Sequence, residues 1–191
     1  MTRKAVFLDR DGTLNEERGY LKNVEDLILI SGAAEAVRRF KEAGYLCILT
    51  TNQSGVARGF YPEEHIHQLH ERLQQLLLAE AGVQLDAVFY CPHLPPRGDR
   101  PDLDNLYVRE CTCRKPGVGM IRQALEFYQD VDLYQSWVIG DKATDVEFGK
   151  NAGCKTVLLK TGYGERVLAG KYQELKHQPD ETADSLAVVS L

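Results

Sequence analysis

The sequence predicts an α/β fold of the three-layer Rossmann-like type, a parallel sheet with helices on both faces. Short apolar runs typical of buried strands alternate along the chain with longer segments of helical periodicity. Each apolar run ends abruptly in polar or glycine-containing residues, as buried strands do. Alternating strands and helices of this kind form a parallel sheet that helices cover on both sides.

The elements follow one another in a regular order. The predicted strands are residues 5–8, 45–50, 87–91, 137–140 and 155–159, and the predicted helices are 33–43, 62–81, 118–128 and 143–151. Gly44 and Gly82 are placed to end the first two helices. After Gly164 the pattern is weak, and we expect a short helix and a last strand near residues 186–189. Between the third strand and the third helix lies an irregular, proline-rich segment, residues 92–117.

Length and charge limit the class of protein. A chain of 191 residues is expected to form a single domain, residues 1–191. Its net charge of −5 argues against nucleic acid or a membrane surface as a partner, because binding to phosphate backbones requires a basic face. The sequence has no apolar run of membrane-spanning length and no signal-peptide core. We therefore expect a cytoplasmic monomer that acts on a small molecule.

The predicted sheet places three polar segments together. Ligands of such sheets bind at the carboxyl ends of the strands, where the strand order reverses. With the spatial order 3-2-1-4-5, the reversal lies between the first and fourth strands. Asp9 follows the first strand, Thr51 ends the second and Asp141 follows the fourth. The sequence therefore predicts that these three residues converge.

The pair Asp9 and Asp11 suggests chemistry at phosphorus. Two carboxylates this close repel each other unless a cation offsets their charge, and Mg²⁺ prefers such oxygen ligands. We predict that Asp9, Asp11 and Asp141 bind Mg²⁺. Metal-bound Asp9 stays ionised and can attack phosphorus, while Asp11 protonates the leaving alcohol and then deprotonates the attacking water.

Thr51 and Lys115 complete the predicted phosphoryl site. Phosphoryl transfer depends on positioning and on positive charge near the phosphoryl oxygens, which a hydroxyl and an ammonium supply. Alone, Lys115 in the run Arg-Lys-Pro would be no more than a solvated basic residue. Asp145, one turn into the following helix, is either a helix-start carboxylate or a supporting residue.

A second group of residues predicts a structural zinc site. Cys91, His93, Cys111 and Cys113 supply three thiolates and one imidazole, a closed zinc ligand set. The loop between the two pairs lacks apolar periodicity and needs a metal to order it. Because this loop ends at Lys115, zinc would also fix the lysine. Cys47 and Cys154 are expected to be ordinary buried thiols.

Taken together, D-x-D-G-T at residues 9–13, the threonine after the second strand, the lysine and G-D-x-x-x-D at residues 140–145 resemble the haloacid dehalogenase superfamily of phosphatases. The resemblance covers nearly the whole chain. It implies hydrolysis through an aspartyl-phosphate. Neither segment between the motifs has room for a cap domain, so a capless member is expected, with loops that define the substrate pocket.

Within that superfamily, the loop 51–59 and the two Cys/His segments are similar to the phosphatases of heptose bisphosphates. This resemblance implies removal of the 7-phosphate of D-glycero-D-manno-heptose 1,7-bisphosphate, a step toward nucleotide-activated heptose for surface glycans. The substrate-contacting residues it implies are Glu17, Arg18, Gly19, Tyr20, Asn52, Gln53, Ser54, Arg114 and Lys142. Of these, Arg114 is expected to bind the remote phosphate through two parallel hydrogen bonds.

Three alternatives stay open. Histidinol-phosphate phosphatase shares the fold, the metals and most motifs, although residues 54–58 favour the heptose substrate. Polynucleotide 3′-phosphatases share the loop signature, but the acidic charge balance disfavours them. A phosphate sensor or zinc scaffold without turnover would need no acid/base carboxylate, and the pair Asp9 and Asp11 argues against it.

Overall fold

One six-stranded sheet organises the computed structural model, which describes residues 2–96 and 105–191. The strands are β1 Lys4–Leu8, β2 Tyr45–Asn52, β3 Ala87–Cys91, β4 Trp137–Gly140, β5 Lys155–Leu159 and β6 Glu181–Ala183. All pair in parallel, in the order β3-β2-β1-β4-β5-β6. The predicted order of the first five strands is confirmed, and β6 extends the sheet at one edge. The centre of the irregular segment, residues 97–104, lies outside the described residues.

Helices cover both faces of the sheet. They are α1 Ala33–Glu42, α2 Glu63–Ala81, α3 Gly119–Phe127, α4 Ala143–Ala152 and α5 Gly164–Leu168. Because side chains alternate along a strand, Val6 and Leu8 enter the core beneath α1 and α2, while Ala5 and Phe7 enter the core beneath α3 and α4. The three-layer architecture predicted from the sequence is confirmed. A short 3₁₀ turn, Val24–Asp26, lies in the long connection between β1 and α1.

The last strand lies earlier in the chain than the sequence predicts. The prediction of a strand near residues 186–189 is wrong. Leu186–Val188 form a 3₁₀ turn, and the last strand, β6, is Glu181–Ala183. Leu186 and Val189 are buried, as their apolar character requires, but they pack in the core cluster of α1. The Arg39 side chain donates to the carbonyls of Ala187 and Val189, which satisfies backbone groups that a strand would pair with its neighbour.

Within residues 2–96 and 105–191, no helix combines the length and the apolar character that crossing a bilayer demands.

Asp180 anchors β6 to the sheet. Its carboxylate accepts hydrogen bonds from the backbone N–H and hydroxyl of Thr156, at 2.7 and 2.9 Å, and from the Lys150 ammonium at 2.7 Å. Burial raises the pKa of Asp180, but the hydrogen bonds from Lys150 and Thr156 outweigh it, and the net pKa lies below the ordinary value. A depressed native pKa means that ionised Asp180 stabilises the fold at neutral pH, and that this contribution is lost as the pH falls through the native pKa.

We expect Asp180→Asn to lower the free energy of unfolding at neutral pH. The difference from wild type should begin to shrink as the pH falls below about 4, where the unfolded carboxyl is protonated, and should disappear below the native pKa, where the native carboxyl is protonated too. Urea unfolding across this pH range measures the effect. Asp184→Asn is the control, because the Asp184–Lys160 ion pair is exposed and such pairs contribute little. A deficit of Asp180→Asn that does not change with pH would contradict the assignment.

Candidate active site

A cavity of about 260 Å³ opens at the carboxyl ends of β1, β2 and β4. Most residues predicted from sequence for catalysis or substrate contact line it: Asp9, Asp11, Glu17, Gly19, Tyr20, Thr51, Asn52, Gln53, Ser54, Arg114, Lys115 and Lys142. Asp141 lies beside it, fully buried. The predicted convergence of the three strand ends is therefore confirmed. Arg18 does not line the cavity: its exposed guanidinium pairs with Glu16 at 2.7 Å.

The floor of the cavity is a buried charge cluster around Lys115. Its ammonium lies 2.9 Å from Asp9 Oδ1 and 2.5 Å from Asp145 Oδ1, and it also donates to the Thr50 carbonyl at 2.9 Å. Burial raises the pKa of Asp9, but Lys115 and Lys142 outweigh it and lower that pKa to about 2. Asp9 is therefore a carboxylate at neutral pH, which is the form that a nucleophile requires. Asp145, whose role the sequence leaves open, forms part of this cluster.

Asp141 occupies a tightly enclosed position below the cavity. Its Oδ2 accepts a hydrogen bond of 2.8 Å from the backbone N–H of Tyr163. Gly12 and Gly162 have positive φ angles of 81° and 56°, and a Cβ at either position would overlap the Asp141 carboxylate. Burial raises the pKa of Asp141 to about 7, against the opposing effect of Lys142. The protein therefore encloses a carboxylate that needs a nearby positive charge.

Lys142 supplies positive charge where the predicted cation would bind. Its ammonium lies 3.2 Å from Asp141 Oδ1, 3.7 Å from Asp9 Oδ2 and 3.5 Å from the backbone carbonyl of Asp11. It also pairs with Glu17 at 3.1 Å. The Lys142 ammonium thus lies among oxygen atoms of the kind that bind Mg²⁺, and these oxygens fit a divalent cation.

The Asp11 carboxylate is not part of this oxygen cluster, which differs from the sequence prediction. The carboxylates whose oxygens lie within 4.8 Å of one another are those of Asp9, Asp141 and Asp145. Asp11 instead accepts hydrogen bonds from the side chains of Arg10, Asn15 and Gln53, at 2.9 to 3.2 Å. These donors occupy both of its carboxylate oxygens, while its backbone carbonyl lies 3.5 Å from the Lys142 ammonium.

Some residues of the cavity carry no sequence signal that predicts their place. Thr144, Tyr163, Tyr172 and Gln173 form one wall. The rings of Tyr163 and Tyr172 stack with centroids 4.3 Å apart, and the Gln173 side chain accepts from the N–H of Thr144 at 3.3 Å. Arg10, fully buried behind the cavity, is also unpredicted; its only signal is a basic residue between two aspartates at a strand end.

The Cys/His cluster forms beside the cavity. Ligand atoms of Cys91, His93, Cys111 and Cys113 all lie within 4.8 Å of one another. Cys91 Sγ lies 3.0 Å from Cys113 Sγ, and His93 Nδ1 lies 3.3 Å from the same sulfur. The hydrogen bond between Cys91 and Cys113 lowers the pKa of Cys113 to about 5, against the effect of burial. Three sulfurs and one imidazole nitrogen this close fit a tetrahedral zinc ion after small outward movements.

The segment after the cluster is joined to β2 and β3. The Arg114 guanidinium donates to the His93 carbonyl at 3.0 Å. The Asn52 side chain accepts from the Lys115 N–H at 3.0 Å and donates to the Lys115 carbonyl at 3.2 Å. The cluster and Asn52 together set where the Lys115 side chain enters the cavity.

Comparisons with known proteins find related phosphatases. Residues 112–189 match the family model described as HAD-hydrolase-like. A D-glycero-D-manno-heptose-1,7-bisphosphate 7-phosphatase from Thermosynechococcus vestitus is 51% identical over 189 residues, 98% of this chain and 93% of that protein. The D-glycero-beta-D-manno-heptose-1,7-bisphosphate 7-phosphatase of Haemophilus ducreyi is 43% identical over 164 residues, 85% of this chain and 86% of that one. The crystal structure of the D,D-heptose 1,7-bisphosphate phosphatase from B. bronchiseptica, complexed with magnesium and phosphate, superposes with a TM-score of 0.79 at 33% identity, covering 96% of this chain and 94% of that chain.

We expect Gly12→Ala to lower the free energy of unfolding by about 1–3 kcal/mol more than Gly44→Ala does. Gly44 is the matched control because its φ of 82° is nearly that of Gly12, while nothing lies within 4 Å of a Cβ at residue 44. The difference isolates the overlap with Asp141 from the backbone strain that both variants share. Urea unfolding of the two variants measures it, and equal losses would show that Asp141 has room to move.

Proposed function

The chain belongs to the family of D-glycero-D-manno-heptose-1,7-bisphosphate 7-phosphatases, and from this premise we propose that it hydrolyses the 7-phosphate of D-glycero-D-manno-heptose 1,7-bisphosphate. The observation that carries the proposal is the buried pair of Asp9 and Lys115 on the floor of a cavity that Thr51 and Arg114 also line. An ionised nucleophile, a phosphoryl-stabilising hydroxyl and a second basic group suit a substrate with two phosphates.

In the first half of the reaction, Asp9 attacks phosphorus. The bond between phosphorus and the sugar oxygen breaks as the aspartyl-phosphate forms, and Asp11 gives its proton to that oxygen. Lys115 keeps Asp9 ionised, and Thr51 donates its hydroxyl hydrogen to the phosphoryl group. Pairing with Lys115 also fixes the orientation of the Asp9 carboxylate, so little reorganisation is needed at the moment of attack.

In the second half, water hydrolyses the aspartyl-phosphate. Asp11, now a carboxylate, accepts a proton from the water as its oxygen bonds to phosphorus, and the bond from phosphorus to Asp9 breaks. The enzyme returns to its starting state and releases inorganic phosphate. The hydrogen bonds that Asp11 accepts from Asn15 and Gln53 hold its carboxylate in place through this exchange.

Two metals support the proposed chemistry. Asp9, Asp141 and the carbonyl of Asp11 would hold Mg²⁺, which supplies positive charge to the phosphoryl oxygens when bound. Cys91, His93, Cys111 and Cys113 would hold zinc in a structural role. The Mg²⁺ ligand from residue 11 is thus proposed to be a backbone oxygen, and its side chain stays available for proton transfer.

Arg114 is proposed to bind the remote phosphate of the substrate. Its NH1 is occupied by the His93 carbonyl, which fixes the plane of the guanidinium while the side chain lines the cavity. A planar group held in this way can offer two parallel hydrogen bonds to a phosphate. We also propose that residues 1–191 act as one domain and as a monomer in the cytoplasm, where sugar phosphates occur.

The test is a comparison of kcat/KM for heptose 1,7-bisphosphate and histidinol phosphate with the purified chain in the presence of Mg²⁺. We expect a preference of at least about tenfold for the bisphosphate, because histidinol phosphate leaves Arg114 without a phosphate partner. A preference for histidinol phosphate would overturn the proposal that the heptose bisphosphate is the substrate. Asp9→Asn controls for contaminating phosphatases: it should abolish phosphate release while circular dichroism shows an intact fold.

Loss of zinc should impair catalysis through Lys115. We expect Cys113→Ser to lose bound zinc, measured by atomic emission, and to lower kcat at least about tenfold, because small displacements of a catalytic group are costly. Cys154→Ala is the control, since Cys154 is a buried thiol outside the cluster, and it should keep both zinc and kcat. A zinc-free Cys113→Ser enzyme with normal kcat would separate the cluster from catalysis.

A further inference from the structure

Gln53 lies at the centre of a buried hydrogen-bond network behind the cavity. Its Oε1 accepts from Arg10 NH2 at 3.0 Å, and its Nε2 lies 2.9 Å from Asp11 Oδ2 and 3.0 Å from Thr51 Oγ1. Arg10, Gln53 and Thr51 are 1, 4 and 1% exposed. The family resemblance places Gln53 among the substrate contacts, yet every polar atom of its side chain is engaged by protein.

These partners leave one orientation for the Gln53 amide. A guanidinium has only donors, so the group facing Arg10 must be the oxygen. The NH₂ end of the amide then faces Asp11 Oδ2, which accepts from it as it does from Arg10 NH2. The second hydrogen of that NH₂ then points to Thr51, whose oxygen must accept it. Because the guanidinium of Arg10 has only donors, the amide cannot reverse without losing its contact with Arg10.

This orientation decides what the Thr51 hydroxyl can do. A hydroxyl whose oxygen accepts from Gln53 still has its own hydrogen to donate. Thr51 lines the cavity beside Asp9, which is where a phosphoryl group would lie. We propose that Gln53, oriented by Arg10 and Asp11, is a positioning residue that keeps the Thr51 hydroxyl hydrogen directed at the phosphoryl group. This inference rests on the proposed phosphatase function and changes the role of Gln53 from substrate ligand to support for Thr51.

Arg10 orients Gln53 although its own buried position is unfavourable. Its guanidinium is buried, and NH1 has no hydrogen-bond partner among the residues that the structure describes. Burying an arginine with one donor group unpaired is unfavourable, and such a group persists where the other contacts depend on it. The remaining nitrogens contact Asp11 and Gln53, so the charge serves to fix these two side chains.

The experiment measures phosphoryl transfer to Asp9 from p-nitrophenyl phosphate, with enzyme in excess. Nitrophenolate leaves without a proton, so this step reports Thr51 and not the acid role of Asp11. We expect Thr51→Val to slow the step about a hundredfold and Gln53→Met about tenfold. In the Thr51→Val background, Gln53→Met should change the rate by less than about twofold, because its action passes through the missing hydroxyl. A Gln53→Met enzyme at the wild-type rate, or an equal loss in both backgrounds, would overturn the inference.

Two further variants keep the result interpretable. Gln74→Met removes an amide that bonds the backbone of Leu85 away from the cavity, and it should transfer phosphoryl at the wild-type rate. If Gln53→Met does not fold, Gln53→Glu keeps the contact with Arg10 but cannot donate to Thr51; it should slow transfer at least as much, and a wild-type rate would overturn the inference. A wild type that uses p-nitrophenyl phosphate but not the heptose bisphosphate would overturn the proposed substrate, while the transfer rates would still decide the role of Gln53.

Discussion

The ion pairs of Lys115 with Asp9 and Asp145 are the constraint on which the rest of the site depends. One ammonium and two carboxylates lie together with almost no exposure. Removing Lys115 would leave both buried carboxylates without this partner, and such losses cost about 3–5 kcal/mol. Because Lys115 comes from the irregular connection between β3 and α3, that connection must be held firmly. The Cys/His cluster and the paired hydrogen bonds of Asn52 hold it. The order of this connection therefore determines where Lys115 lies, and Lys115 in turn keeps Asp9 ionised.

Strand positions and the place of the site follow from sequence because local pattern and global topology agree. Short apolar runs bounded by turn residues indicate buried strands, and parallel pairing then fixes which ends meet. This is why the apolar pattern suffices to place Asp9, Thr51 and Asp141 at one edge of the sheet. The same reasoning could not assign Asp145, because a helix-start carboxylate and a partner of Lys115 have identical sequence surroundings. Only the position of Lys115 in space separates them.

The parts that sequence could not predict are those held by tertiary contacts alone. The strand β6 has three residues, with no apolar alternation, and Asp180 and Thr156 hold its start to β5. The apolar residues that follow look more like a strand but pack in the core of α1. Likewise Tyr163 and Tyr172 reach the cavity because their rings stack on each other, and nothing in their spacing predicts that contact. In each case the contact that decides the structure is with a residue outside the local segment, and the local pattern of apolar and polar residues cannot predict it.

The backbone and the side chain of residue 11 have different surroundings. A carboxylate after a strand end is a common metal ligand, and the sequence predicts on that ground that Asp11 binds Mg²⁺. The backbone carbonyl of Asp11 lies near the Lys142 ammonium, which also contacts Asp9 and Asp141. The Asp11 carboxylate instead accepts hydrogen bonds from Arg10, Asn15 and Gln53. A carboxylate bound to a divalent cation is a poor proton carrier, because the cation strongly favours its ionised form. By giving the cation a backbone oxygen, the chain can keep the side chain of residue 11 for proton transfer, so the division that departs from the sequence prediction is the one that an acid/base role requires.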